Sequence, residues 1–326
     1  MESTDLVLMK SVTVNDTDAN GARMSFTQVT SNTLNNMFPN VTQTERTNGT
    51  TRYRKFFFRN KNAANETGSN ARVWISSKSV GGDYFRLKAG TDSDVQSAAD
   101  DYTNWLGSGY LSSVLAADST TLEVLFDTND GVYAGSRIRI SDSSGGEEFL
   151  TVATAGVSWN SNTATITTTT SARNTYPASQ NSIVAGVVDL SDLVAATAAW
   201  SETSVSGTYD EASYPVEVNN VGTVTETWTL TFTNATAFTV SGASEGSLGA
   251  GSTLGNFQPV NTGPGTGDYY FVLRAAGWGG TWALGDTVTF TTTHSSASVW
   301  LKEVVPAGTS AQTNNLVSFK LYAEGA

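Results

Sequence analysis

The stretch TVTETWTLTFT, from Thr223 to Thr233, places Thr at every second position and fills the intervening ones with Val224, Glu226, Trp228, Leu230 and Phe232. A period of two sends the two sets to opposite faces of a strand, with the rings on one side and the hydroxyls on the other. Glu226 interrupts the apolar face, which places that end of the strand near a rim. Similar alternation recurs in FTQVT (Phe26 to Thr30), RYRKFFFRN around Phe57, ARVWISS from Ala71, SRIRIS, EEFLTVA, TATITTTT and DTVTFTT. Gly, Ser, Thr, Asn and Val dominate the composition, a set of poor helix formers and good strand formers. The fold class expected is therefore all-β, mainly antiparallel sandwich or barrel modules, with one or two short helices.

At 326 residues the chain exceeds the size at which one hydrophobic core stops growing. Composition shifts divide it into an N-terminal β domain (1–107), an inserted small barrel-like or sandwich module (108–185) and a C-terminal helix plus β-sandwich (186–326). The outer segments are expected to pack together, with the middle one projecting. Two helices are predicted. SNTLNNMFP, Ser31 to Pro39, has Ser31 as cap, Leu34 and Phe38 on one face and Pro39 as stop. VDLSDLVAATAAW, Val188 to Trp200, has Ser191 as cap and Leu193, Ala196 and Trp200 on one face. The run VQSAADDYTNWL, ending before Gly107, reads as helical or irregular.

The net charge is -12, with 18 basic and 30 acidic residues. Twelve of the basic and eleven of the acidic residues precede Ser108, which leaves 6 basic and 19 acidic for the remainder. Against this background TRYRKFFFRNK, Thr51 to Lys61, gathers five cations around four aromatics. Cations and rings together are the ingredients of a nucleic-acid platform, but such a platform needs both on one open face. In a strand, Tyr53, Lys55, Phe57 and Arg59 share one side while Arg52, Arg54, Phe56, Phe58 and Asn60 share the other. The cluster Arg52, Arg54, Lys55, Phe56, Phe57, Phe58 and Arg59 is accordingly expected to make protein contacts, covered by its own core and by another segment or subunit, and not to hold nucleic acid.

Catalytic signals are sparse. The chain has no cysteine, which excludes disulfides, thiolate metal sites and cysteine nucleophiles. His294, the sole histidine, sits in TTTHSSAS without a GxSxG elbow, so it reads as a surface or strand-end histidine. The neighbouring carboxylates Asp100–Asp101, Glu147–Glu148 and Asp210–Glu211 point to opposite faces of an extended chain and do not form glycosidase pairs. DTNDG, Asp127 to Gly131, lacks the phase of a calcium loop and reads as a hairpin turn. No motif calls for a cofactor or metal. No apolar run approaches the roughly 18 residues needed to cross a bilayer, and MESTDLVLMK lacks the layout of a signal peptide. A soluble protein made in the cytoplasm is expected, with no membrane partner.

The block FTQVTSNTLNNMFPNVTQTERTNGTTRYRKFFFRNKN, followed by ARVWI and KAGTDSDVQ, resembles the N-terminal part of a family of virion structural proteins encoded by tailed bacteriophages and prophages. The likeness continues through SDSSGGEEFLTV, WSETSVSGTYDEASYPV, TETWTLTFTNATAFTVSG, AAGWGGTWALGDTVTF and VWLKEVVPAG, in order and over most of the chain. It implies a non-enzymatic particle component, made in the host cytoplasm, in the neck or collar, tail or baseplate or decorating the head. Its partners would be other virion proteins and further copies of itself, as a trimer or hexamer. Two other readings stay open. One is a receptor- or carbohydrate-binding virion module, with Trp278 and Trp282 of GWGGTW offered to sugar, against a core-packing role for the same rings. The other is a glycan-degrading enzyme.

Overall fold

The computed structural model describes residues 1–179, 181–263, 267–313 and 315–325. The first segment contributes β1 (Leu6–Thr13), β2 (Gly21–Gln28), β3 (Thr50–Asn60), β4 (Gly68–Ser77) and β5 (Tyr84–Ala89), with short helices α1 (Gln43–Asn48) and α2 (Gln96–Ala99). There follow β6 (Ser108–Leu111), β7 (Thr121–Leu125), β8 (Arg137–Ser141), β9 (Glu147–Asn160), β10 (Thr163–Thr168) and β11 (Ile183–Asp189). The third segment supplies β12 (Ala196–Thr203), β13 (Ser206–Tyr209), β14 (Glu226–Phe232), β15 (Ala237–Gly242), β16 (Gly246–Ser252), β17 (Trp278–Thr281) and β18 (Thr287–Thr293), then β19 (Ser296–Val305) and β20 (Ser318–Gly325). All the ladders between these strands are antiparallel, and the all-β class expected from the alternation is the one observed.

The sheets do not stop at the segment boundaries. One sheet has the order β2-β1-β3-β19-β5, so a strand from the third segment lies between two strands of the first. A second runs β20-β4-β11-β6-β7-β10-β9-β8, and a further β11–β8 pairing closes its last six strands into a barrel. Phe56 and Phe58 from β3, Val299 and Leu301 from β19, and Phe85 and Leu87 from β5 pack on Val73 and Ile75 from β4 and Val188 from β11. This is the central sandwich. Strand β11 serves both modules: Ile183 to Val187 pair with β8, whereas Val187 to Asp189 pair with β4. The barrel is filled by the alternate inward residues of its strands, including Leu122, Val124, Ile138, Ile140, Leu150, Val152, Ala164, Ile166 and Val184.

In the third segment, β12-β18-β14-β15-β16 form one sheet over a core of Trp228, Leu230, Phe232, Phe238, Val240, Phe271, Val288 and Phe290. Its outer face carries Thr227, Thr229 and Thr231 beside Thr291, Thr289 and Thr287, as the alternation requires. Glu226 is buried at the inner rim, where two backbone N–H groups of the β15–β16 turn, Ser244 and Glu245, donate to its carboxylate at 2.8 Å.

Both predicted helices are corrected. Residues 31–39 form turns because Asn32 and Asn35 adopt left-handed backbone, φ 58° each, which no right-handed helix accommodates. The helix lies just beyond, where Thr42 and Glu45 cap each other reciprocally at the start of α1. From Val188 to Trp200 the chain finishes β11, buries Leu193 opposite Gly68 and enters β12. There Trp200 stacks on Phe290, 5.5 Å between centroids, so sheet pairing takes the residues that shared a helical face. The loop DTNDG is not a hairpin either, since β7 pairs with β6 and β10 and not with β8.

Because β11 closes the barrel, a fragment spanning 108–189 is expected to fold independently and one ending at 182 to fail. Far-UV circular dichroism and a cooperative thermal transition on the two fragments check this. Equal behaviour would remove β11 from the role of closing strand.

Candidate functional site

Strand β3 is the most enclosed element of the central sandwich, flanked by β1 and β19, and every residue from Arg52 to Asn60 is buried. Its pattern of rings and cations is resolved face by face. On the side facing the core, Phe56 and Phe58 meet edge to face at 5.3 Å. Towards one end of that side, Arg52 pairs with Glu303, directly across the ladder, at 2.6 Å from Nη2 to Oε2. Arg54 reaches Asp16 at 2.6 Å and donates to the Met37 carbonyl at 2.8 Å. The Phe38 ring lies against both guanidiniums, at 5.4 Å and 5.0 Å, so the turn predicted as a helix becomes the lid over them.

The opposite face is covered by other parts of the same chain. Lys55 Nζ lies 2.7 Å from Asp94 Oδ1 and donates to the carbonyls of Ala22, Asp94 and Asp92 at 2.7, 3.0 and 3.2 Å. Trp300 Nε1 and the Tyr102 hydroxyl donate to the other oxygen of Asp94. Burial alone would raise the Asp94 carboxyl, but Lys55 and these two donors hold it below its ordinary value. Burial lowers Lys55, against the pull of Asp94. A Cβ at Gly21 would lie 2.6 Å from the Trp300 ring, so the β1–β2 turn, with φ +106° at this glycine, reaches the cluster only because it has no side chain there. Arg59 has no carboxylate partner among the described residues. Its guanidinium donates to the carbonyls of Asn220 and Val221, and desolvation brings it down to about 10.

The contacts expected of Arg52, Arg54, Lys55, Phe56, Phe57, Phe58 and Arg59 are thus made within one chain. All seven are 6% exposed or less, and no face of β3 is open to a subunit or a nucleic acid. What the reading of the sequence missed is the acidic half of the site: Asp16, Asp94 and Glu303. The signals were an Asp pair in TDSD at 91–94 and a glutamate interrupting the apolar run VWLKEVV.

His294 is buried in the link between β18 and β19, not at the surface, with its ring edge-on to Phe57 at 5.9 Å. Its Nδ1 is 2.8 Å from Ser296 Oγ and its Nε2 2.8 Å from Asp92 Oδ1. This use of the two nitrogens is reversed from the hydrolytic triad, in which Nε2 faces the serine. Ser296 Oγ also meets Met24 Sδ at 3.5 Å, and the Asp92 oxygen lies off the Nε2–H direction. The backbone N–H of His294 donates to Thr225 Oγ1 at 3.3 Å, so the histidine joins the central sandwich to the third segment. Asn220 completes this joint: its backbone carbonyl accepts from Ser295 Oγ, its amide donates to the Glu66 carbonyl and its side-chain oxygen accepts from Ala195 N.

Trp278 and Trp282, the residues offered to sugar, belong to a packed cluster. Trp282 is 3% exposed and stacks on Phe232 at 4.1 Å with an interplanar angle of 3°. Its other side is closed by the backbone, since a Cβ at Gly207 would lie 2.3 Å from the indole. Trp278 is half-buried, edge-on to Tyr209, Phe232 and Trp282. In DTNDG, Asp127 pairs with Lys78 at 2.7 Å and Asp130 with Arg86 at 2.6 Å, so its carboxylates serve cations of the central sandwich. Glu147 and Glu148 diverge as their strand requires, the first to Arg139 and the second to the backbone N–H of Arg173.

Two outcomes follow from the buried pairs. Lys55→Met leaves Asp94 desolvated without its cation and is expected to cost about 3–5 kcal/mol in urea denaturation. Adding Asp94→Asn should recover part of that loss, and no recovery would rule out the pairing as its source. Burial lifts the Glu303 carboxyl to about 7, with Arg52 pulling it back. The folded state therefore binds a proton that the unfolded state has released between about pH 4.5 and 7, and Glu303 contributes stability at low pH that is lost as pH rises through 7. Glu303→Gln removes the titration, so the melting temperature of the variant should gain on that of the parent from pH 5 to 8; a gain by the parent instead would mean that Arg52 dominates. No protein-family model matches the chain, and neither a curated protein nor a solved structure is significantly similar to it.

Proposed function

We propose that the chain is a structural, non-enzymatic component of a tailed-phage virion, acting through protein–protein contacts as a homo-oligomer, a trimer or hexamer. The observation that carries this reading is the outer end of the β12-β18-β14-β15-β16 sheet. Val205, Leu254 and Leu284 are 99%, 81% and 79% exposed. The pairings Thr203↔Thr287, Thr231↔Thr287 and Ala237↔Ser252 set their three loops at one end of the sheet. The opposite end, at Glu226, Gly242 and Thr293, joins the central sandwich. Apolar side chains held out on the loops farthest from the core are what a contact between subunits uses. The region that carries them, residues 190–293, has nine acidic residues and one arginine, Arg274, which keeps copies apart until a complementary surface is met.

Residues 190–293 are inserted into the central sandwich, entering after β11 and returning as β19. The barrel is likewise held at both ends, by the bridge from Leu106, just before β6, to Leu87 of β5 and by the pairing of β11 with β4. Two modules anchored twice to one ion-paired core suit a part that must stay rigid under load. Replacing Val205 and Leu284 together by Asp is expected to leave the melting temperature within about 3 °C, since each surface change lies within ±0.5 kcal/mol. The same variant should fail to enter particles when supplied in place of the parent chain. Mass spectrometry of purified virions measures incorporation. Absence of the parent chain from the particles would sink the reading.

A further inference from the structure

At the seam where β11 leaves the barrel for the central sandwich, a cleft of about 200 Å³ opens between β5, β8 and the loop before β8. Its floor is apolar, made by Leu106, Val187 and Val188, and its wall carries Lys88, Tyr133 and Arg137. The charges do not balance. Asp189 is the one carboxylate in the lining, and it is shared between Arg72 Nε at 3.2 Å and Arg137 Nε at 3.3 Å. Among the described residues Lys88 has no carboxylate within ion-pair reach. Its only close partner there is the Tyr133 ring, 6.0 Å from Nζ. Arg137 Nε is buried but lacks an aligned acceptor, because the Asp189 oxygen sits off its N–H direction. Lys88 and Arg137 against Asp189 leave the lining with an excess of one positive charge in a chain of net charge -12.

We infer that this cleft is a binding site for a compact carboxylate-bearing ligand of the size of one acidic sugar ring. The guanidinium of Arg137 presents a planar fork that matches a carboxylate, and the Lys88 ammonium adds a second donor on the same wall. The Tyr133 ring and the Leu106, Val187 and Val188 floor suit the C–H face of a sugar, with the acid directed at the cations. The volume, below the range of ordinary drug-sized sites, selects a single ring over a nucleotide or an oligosaccharide. The two cations come from β5 and β8, strands of different modules, and β11 fixes their separation. The site is assembled only when barrel and sandwich are both folded. It is independent of the role proposed for the outer loops.

Isothermal titration of the full chain with glucuronate, glucose and inorganic phosphate tests the assignment. Glucuronate is expected to bind at least tenfold more tightly than glucose or phosphate, and Lys88→Gln and Arg137→Gln to weaken it at least tenfold each. Circular dichroism and melting of the variants confirm their fold. Should a variant misfold, line broadening of the Tyr133 ring signals on addition of glucuronate to the parent chain serves in its place. Equal affinity for glucuronate and glucose, phosphate binding as tight as glucuronate, or folded variants that bind like the parent would each overturn the proposal.

Discussion

The burial of β3 is the constraint on which the rest of the structure depends. A strand with four cations between its aromatic residues can be enclosed on both faces only if each charge meets an acceptor at the point where water is removed. Those acceptors are drawn from distant parts of the chain. Glu303 comes from β19, Asp94 from the segment before α2, Asp16 from the β1–β2 connection, and the carbonyls of Asn220 and Val221 from the third segment. The placement of one strand therefore fixes one other strand and three connecting segments. The Arg52–Glu303 contact is also a statement of register, because a one-residue slip of β19 against β3 would carry Glu303 away from Arg52 and to the opposite face.

Alternation carried most of the fold class. Strands β3, β4, β10, β14 and β18 lie where the period of two put them, and the inward and outward sets of β14 are those the Thr spacing required. The helical assignments failed for identifiable reasons. Apolar residues spaced three and four apart near Leu193 fit a helix, but β12 pairs with β18 on both sides of a bulge at Ala199 and Trp200, and tertiary pairing outweighs a short-range preference. Around Leu34 the decisive factor was the left-handed backbone of two asparagines, a conformation that spacing does not encode. At the site, the sharing of aromatics between both faces of β3 was legible, and both faces of the strand are buried. The identity of the covering groups was not legible, since pairing between Arg52 and Glu303 spans 251 positions and no local signal marks it.

Aromatic chemistry is used differently in the two sandwiches. In the central one, rings stand beside cations: Phe38 over Arg52 and Arg54, Phe57 and Trp300 beside Lys55. Ring faces there soften the desolvation of charge that the strand imposes. In the third sandwich the rings pack on one another, with Phe232 at the centre of contacts to Phe238, Trp278 and Trp282. That core holds few charges, and its surface is correspondingly free to be acidic and hydroxyl-rich. A tryptophan motif that looks exposed in the sequence is thus consumed by a core that has little else to fill it.

The position of β19 also orders events as the chain emerges from the ribosome. Strand β3 is synthesised early, yet the neighbour that completes its sheet and brings the partner of Arg52 lies some 250 residues downstream. The barrel, whose ladders join near neighbours in sequence, and the third sandwich can each close while β3 waits with one edge unpaired. An unfinished edge rich in Phe is a nucleus for aggregation, and the positive charges distributed along it repel other copies during that interval. The same cations that demand partners in the finished molecule therefore act, before those partners exist, as gatekeepers of a nascent chain.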